Sequence, residues 1–87
     1  MVEANISVVN FESLLTLFGA RDQHLRRIRD ALGVSISVRN DQIHIEGEPK
    51  AVADATEVLE QLQNHAKLHG VLAEEDVTRV LAAVRNG

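Results

Sequence analysis

Ten residues, Gly19-Ala20-Arg21-Asp22-Gln23-His24-Leu25-Arg26-Arg27-Ile28, constrain the fold of this chain more than any others. The glycine closes one apolar helical pattern. After two intervening residues, an aspartate opens another. Such a helix–turn–helix corner sets backbone N–H groups, a helix N-terminus and an arginine side by side, an arrangement that can hold a phosphate. It serves equally well as a plain corner between two packing helices. The flanking patterns decide what the corner is built into.

Upstream, residues 4–9 (Ala-Asn-Ile-Ser-Val-Val) alternate and predict a short strand. Asn10 is placed to cap a two-turn helix, in which Phe11, Leu14, Leu15 and Phe18 fall at i, i+3, i+4 and i+7. Gly19 stands where a C-cap glycine belongs. Downstream, Asp22 is the expected N-cap of a second helix, whose buried stripe is Leu25, Ile28 and Leu32. Its polar arc carries Arg26, Arg27, Arg29 and Asp30, and Gly33 ends it. Residues 34–38 alternate as a strand with one apolar face. A turn at 39–42 then returns the chain through Ile43, His44, Ile45 and Glu46, and Gly47 breaks the second arm.

Pro49 suits the first position of a long helix running to about His69, with Val52, Ala55, Leu59, Leu62 and Ala66 on its core side and Ala51 and Val58 flanking. Gly70 ends it. Glu74, Glu75 and Asp76 load the first turn of a last helix, with Val77, Val80, Leu81 and Val84 inward and Arg85 at its C-terminal end. The predicted order is β-α-α-β-β-α-α. It specifies an α+β, two-layer fold with a three-stranded antiparallel sheet and helices on one face.

Eighty-seven residues make one small domain. Two Phe, no Trp and no Tyr require an aliphatic core. The lack of cysteine excludes disulfides and thiolate metal sites and fits a reducing compartment. No apolar run approaches the ~20 residues of a membrane span, and no signal-peptide pattern opens the chain. The reading is a cytoplasmic protein or fragment with no membrane partner. The net charge of −4 opposes strong nonspecific binding to nucleic acid, but its distribution is uneven. Residues 1–40 carry five Arg against four acids, and residues 41–87 carry four bases against nine acids. The basic charge therefore gathers around the opening stretch.

The spaced positions Gly19, Asp22, Leu25, Ile28, Gly33, Ile36 and Val38, followed by Ile43, Ile45, Gly47, Ala51, Val52 and Ala55, resemble the K-homology (KH) RNA-binding domain of β-α-α-β-β-α topology. The likeness covers residues 5–66. The chain departs from it at Asp22, where the family has the second glycine of its loop. A carboxylate there repels phosphate, and its Cβ blocks close approach. That departure is similar to the amino-terminal domain of PhoH-like proteins, which join a divergent KH-like domain to a P-loop ATPase. Residues 17–26, Leu32-Gly33-Val34, Arg39-Asn40, Ile45-Glu46-Gly47 and Glu74-Glu75-Asp76-Val77 all carry this second likeness.

On that resemblance, residues 1–70 are a KH-like domain and residues 71–87 a helix leading toward an absent ATPase. ATP and magnesium are then expected only for the ATPase, since the P-loop pattern Gly-x-x-x-x-Gly-Lys-Ser/Thr does not occur in these residues. The implied partners are single-stranded RNA, the attached ATPase and, through the parent protein, further copies of the chain.

In the KH arrangement four nucleotides lie between the loop, the first two helices and an edge strand. The resemblance thus implies a nucleic-acid site at Gly19, Ala20, Arg21, Arg26, Arg29 and Arg39. The alternative is an interaction module: the acidic 49–69 helix or the Arg-bearing helix docks on the attached ATPase or a neighbouring subunit, and Asp22 is only a cap. Nothing in the chain resembles an activated nucleophile, and no enzymatic activity is expected of these residues alone. His65 and His69, at i and i+4, have a spacing that can chelate a metal. No third ligand accompanies them in the sequence, and interaction with the helix C-terminus accounts for them.

Overall fold

A computed structural model describes residues 1–7, 18–40 and 42–86. Its elements are β1 (Val2–Ser7), a single 3-10 turn (Ala20–Asp22), α1 (Gln23–Leu32), β2 (Ser35–Arg39), β3 (Gln42–Gly47), α2 (Pro49–His69) and α3 (Glu74–Asn86). The helix expected over 11–18 lies outside the described residues except for Phe18, which is buried.

The sheet is antiparallel with spatial order β1-β3-β2, so the last strand in sequence is the central one. β1 pairs with β3 from Val2↔Gly47 to Ser7↔Gln42, and β2 pairs with β3 from Ser35↔Glu46 to Arg39↔Gln42. This register puts Ala4, Ile6, Ile36, Val38, Ile43 and Ile45 on one face. Ile43 and Ile45 are completely buried there. Glu3, Asn5, Ser7, Ser35, Ser37, Arg39, Gln42, His44 and Glu46 take the other face, as strand alternation requires.

Two boundaries differ from the sequence reading. β1 begins at Val2 rather than residue 4, because the Val2-Glu3 pair continues the same alternation and finds partners in β3. Gly47 is the buried last residue of β3 rather than a break before it, and a Cβ there would sit 3.2 Å from Val34 Cγ1.

The helices form the second layer. α2 lies against β1 and β3, α1 against β2, and α3 against α1 and α2 without approaching a strand. α2 follows its pattern closely: Val52, Ala55, Val58, Leu59, Leu62 and Ala66 are buried. Val77, Val80 and Leu81 of α3 join the same core as Ile28, Ile43, Ile45 and Leu59. Each such aliphatic side chain contributes roughly 1.5–3 kcal/mol on burial. The last helix is therefore held by the same core that holds the sheet.

α1 is rotated relative to the expected stripe. His24 and Ile28 are its buried residues, while Leu25 and Leu32 are only half-buried. The cause is α3, which packs on the His24–Arg27 side of α1. His24 Nε2 lies 3.2 Å from the Leu72 carbonyl. Arg27 donates to the Glu74 carbonyl at 3.2 Å and to Thr78 Oγ1. The sequence placed Arg27 on the polar arc; the fold uses it to bind α3.

The start of α3 is capped from inside. Asp76 Oδ2 accepts the Ala73 N–H at 3.0 Å, the reach-back half of a capping box. The same carboxylate lies 3.3 Å from His65 Nε2 and 3.3 Å from an Arg79 nitrogen. The Ala73 N–H bond, with the charges of His65 and Arg79 adding to it, holds the Asp76 carboxyl below the ordinary aspartate value of 3.8 despite its partial burial.

Candidate nucleic-acid interface

The corner before α1 is built almost wholly in the left-handed region. Gly19 has φ 75°, Arg21 φ 53° and Asp22 φ 58°. The Asp22 N–H reaches the Gly19 carbonyl at 3.3 Å and closes the 3-10 turn. Left-handed backbone costs an ordinary L-residue roughly 1–2 kcal/mol, and aspartate is among the residues that bear it best. Asp22 therefore tolerates this conformation instead of capping. An N-cap residue takes extended backbone and returns its side chain to the second or third helical N–H. Asp22 has ψ 29° and makes no side-chain cap bond, which corrects the sequence reading.

Gly19 is required here twice over. Its φ favours glycine, and its Cβ position is occupied. A methyl group there would lie 2.7 Å from His24 Cδ2 and 2.9 Å from His24 Nε2. His24 itself is 3% exposed. A carbonyl oxygen only accepts, so the imidazole Nε2 carries the proton and donates to Leu72. His24 thus fills the concave side of Gly19 while gripping the α2–α3 connection. The sequence reading gave His24 no role, although its spacing of four residues from Ile28 sets both on one helix face.

Five of the six candidate residues lie within one short stretch, residues 19–29, at the corner and along α1. Gly19, Ala20 and Arg21 form the corner. Arg26 and Arg29, at i and i+3, share the exposed side of α1, away from His24 and Ile28. Arg29 pairs with neighbouring Asp30 at 3.1 Å, and both side chains are exposed. Such a pair is worth little and leaves the guanidinium available.

Arg39 is separated from this group. It stands on the polar face of the sheet, beside a shallow depression of about 360 Å³ shared with Glu3, Ser35, Ser37, His44 and Glu46. His44 Nδ1 is 3.8 Å from Glu3 Oε1 there. Two carboxylates beside one arginine do not favour phosphate.

His65 and His69 have ring centroids 4.4 Å apart. Among the described residues, no group of three or more His, Cys, Asp or Glu side chains is placed to hold a metal ion. No described helix is long and apolar enough to cross a membrane.

No protein-family model matches the chain, and no curated protein or solved structure matches it significantly.

Proposed function

We propose that the chain is a nucleic-acid-binding accessory domain that contacts single-stranded RNA through Gly19, Ala20, Arg21, Arg26 and Arg29. The carrying observation is the segregation of cations within one short helix. Arg27 faces α3, bonded to the Glu74 carbonyl and Thr78. Arg26 and Arg29 lie on the exposed side, directly after a loop that exposes Arg21. In a chain of net charge −4, this is where phosphate would find a cationic surface. Among the described residues, β2 has no strand partner on its outer edge beside α1, which gives a nucleic-acid strand somewhere to lie.

Binding in this reading is weak and directed at phosphate. Phe18 is buried, so it offers no base a stacking face, and each stacked base would have added ~1–3 kcal/mol. Three arginines on a single strand give a slope of log affinity against log salt of about −2. The KH and PhoH-like resemblances support the same reading and make the partner domain an ATPase. The test is a titration of a single-stranded oligonucleotide at two salt concentrations. Arg21→Glu with Arg26→Glu lowers affinity at low salt with the circular dichroism unchanged. Equal binding by wild type and variant overturns the proposal.

A second reading, a module that docks on an attached ATPase without touching nucleic acid, is favoured by one observation. Leu68 and Val71, at the α2–α3 turn, are 79% and 68% exposed.

A further inference from the structure

One side chain belongs to two regions at once. His24 occupies the space over Gly19, and its Nε2 donates to the carbonyl of Leu72, 48 residues away. One turn on, Arg27 reaches the Glu74 carbonyl and Thr78 from the same side of α1. Thr78 Oγ1 in turn donates to the Glu74 carbonyl at 3.0 Å. A continuous set of contacts therefore runs from the strained loop through one imidazole to the start of α3.

We infer that His24 is the positioning residue of the loop and couples its conformation to the docking of α3; the part concerning the loop as a ligand surface rests on the function proposed above. The physical basis is shared space. The ring occupies the place that a Cβ at residue 19 would need, 2.7–2.9 Å from that position, so the bare glycine is what admits it. The ring cannot move away without stretching the bond to Leu72. Residues 19–22 hold two non-glycine left-handed residues, a conformation that persists only when its surroundings enforce it. His24 is the enforcing group. A partner that pulls on α3 or on residues 70–73 changes the shape of the loop, and a ligand on the loop changes how firmly α3 is held, because such coupling is reciprocal.

The experiment uses the 87-residue chain and backbone-amide NMR. Arg27→Ala loosens α3 at a position that does not contact Gly19. In a wild-type background it shifts the amides of residues 19–22. In a His24→Leu background, where the space is filled but the donor is lost, the same change leaves those amides still. His24→Gln, which keeps an N–H donor, restores the response. Loop amides that ignore Arg27→Ala, or that respond equally with and without His24, overturn the inference. If His24→Leu does not fold, Gly19→Ala tests the path in reverse: pushing on the ring shifts the amides of residues 72–74, and unchanged amides there overturn the coupling.

Oligouridylate then separates the coupling from the ligand assignment. His24→Leu lowers affinity about three- to tenfold with Arg21, Arg26 and Arg29 intact, and His24→Gln returns it to near wild type. Unchanged affinity with the amide coupling present overturns the positioning role and the loop as the RNA surface, while the link to α3 stands. Absence of binding by the wild type overturns the RNA reading, and the amide shifts alone decide the coupling.

Discussion

The two ends of α1 are both left-handed glycine corners, and they are built on opposite principles. At the C-terminal end, Gly33 has φ 69°, and among the described residues nothing beyond its own chain neighbours and helix backbone lies within 4 Å of where its Cβ would be. Its N–H and that of Val34 both return to the Arg29 carbonyl, at 2.9 and 3.3 Å, so backbone bonds alone close the helix. At the N-terminal end, Gly19 has φ 75° and a space already filled by His24. Two further left-handed residues follow it, and the capping side chain is idle. One corner is an ordinary stop signal. The other stores strain and is held by a side chain from its own helix, a condition typical of positions with a task beyond packing.

The comparison breaks most sharply on alanine. Gly19→Ala adds overpacking, typically about 1–3 kcal/mol, to the left-handed penalty of about 1–2 kcal/mol, so a total loss of about 2–5 kcal/mol is expected. Gly33→Ala carries the backbone penalty alone and loses about 1 kcal/mol. Denaturant midpoints of the two variants measure the difference. Equal losses would show that the imidazole yields easily, and the tight corner would then be no tighter than the open one.

The same contrast separates the aspartates at two helix starts. Asp22 stands before α1 without a cap bond, whereas Asp76 of α3 is bonded to Ala73 and lies against His65 and Arg79. The folded-state pKa of Asp76 is depressed, so its stabilisation is fully present above the unfolded value of about 3.8 and is lost as pH falls through the lower folded value. Wild type should therefore lose stability relative to Asp76→Asn as pH is lowered from 5 toward 2. Thermal melts across that range check it, and parallel curves would remove Asp76 as the cap of α3.

How much of this was legible follows from which signals are local. α2 was read with its ends because Pro49, Gly70 and six apolar residues at helical spacing all speak within one segment. The α+β class and the hairpin followed from alternation. Arg39 was grouped with the α1 arginines by the resemblance, although its parity with Ser35 and Ser37, opposite Ile36 and Val38, places it on the polar face of the sheet. His24 and Arg27 were not legible. A hydropathy pattern counts both as polar, and their partners lie 47 to 51 residues away. Asp22 was misread because aspartate favours N-caps and left-handed turns for the same reason, a short side chain that bonds its own backbone, and composition does not choose between them.

Asp22→Gly gives the smallest effect on stability and the most informative one on function. Glycine removes the left-handed strain but adds about 0.5–1 kcal/mol of chain entropy to be lost on folding. The two terms nearly cancel, since aspartate bears this backbone better than most residues. No cap bond is lost, because Asp22 makes none. Stability should stay within about 0.5 kcal/mol of wild type, with either sign. Affinity for single-stranded RNA should rise, because a carboxylate and a Cβ leave the point where a phosphate would approach. A variant that loses more than about 1 kcal/mol would show that the Asp22 side chain supports the corner. A variant of unchanged stability and unchanged affinity would show that phosphate approaches α1 along Arg26 and Arg29 without entering the loop.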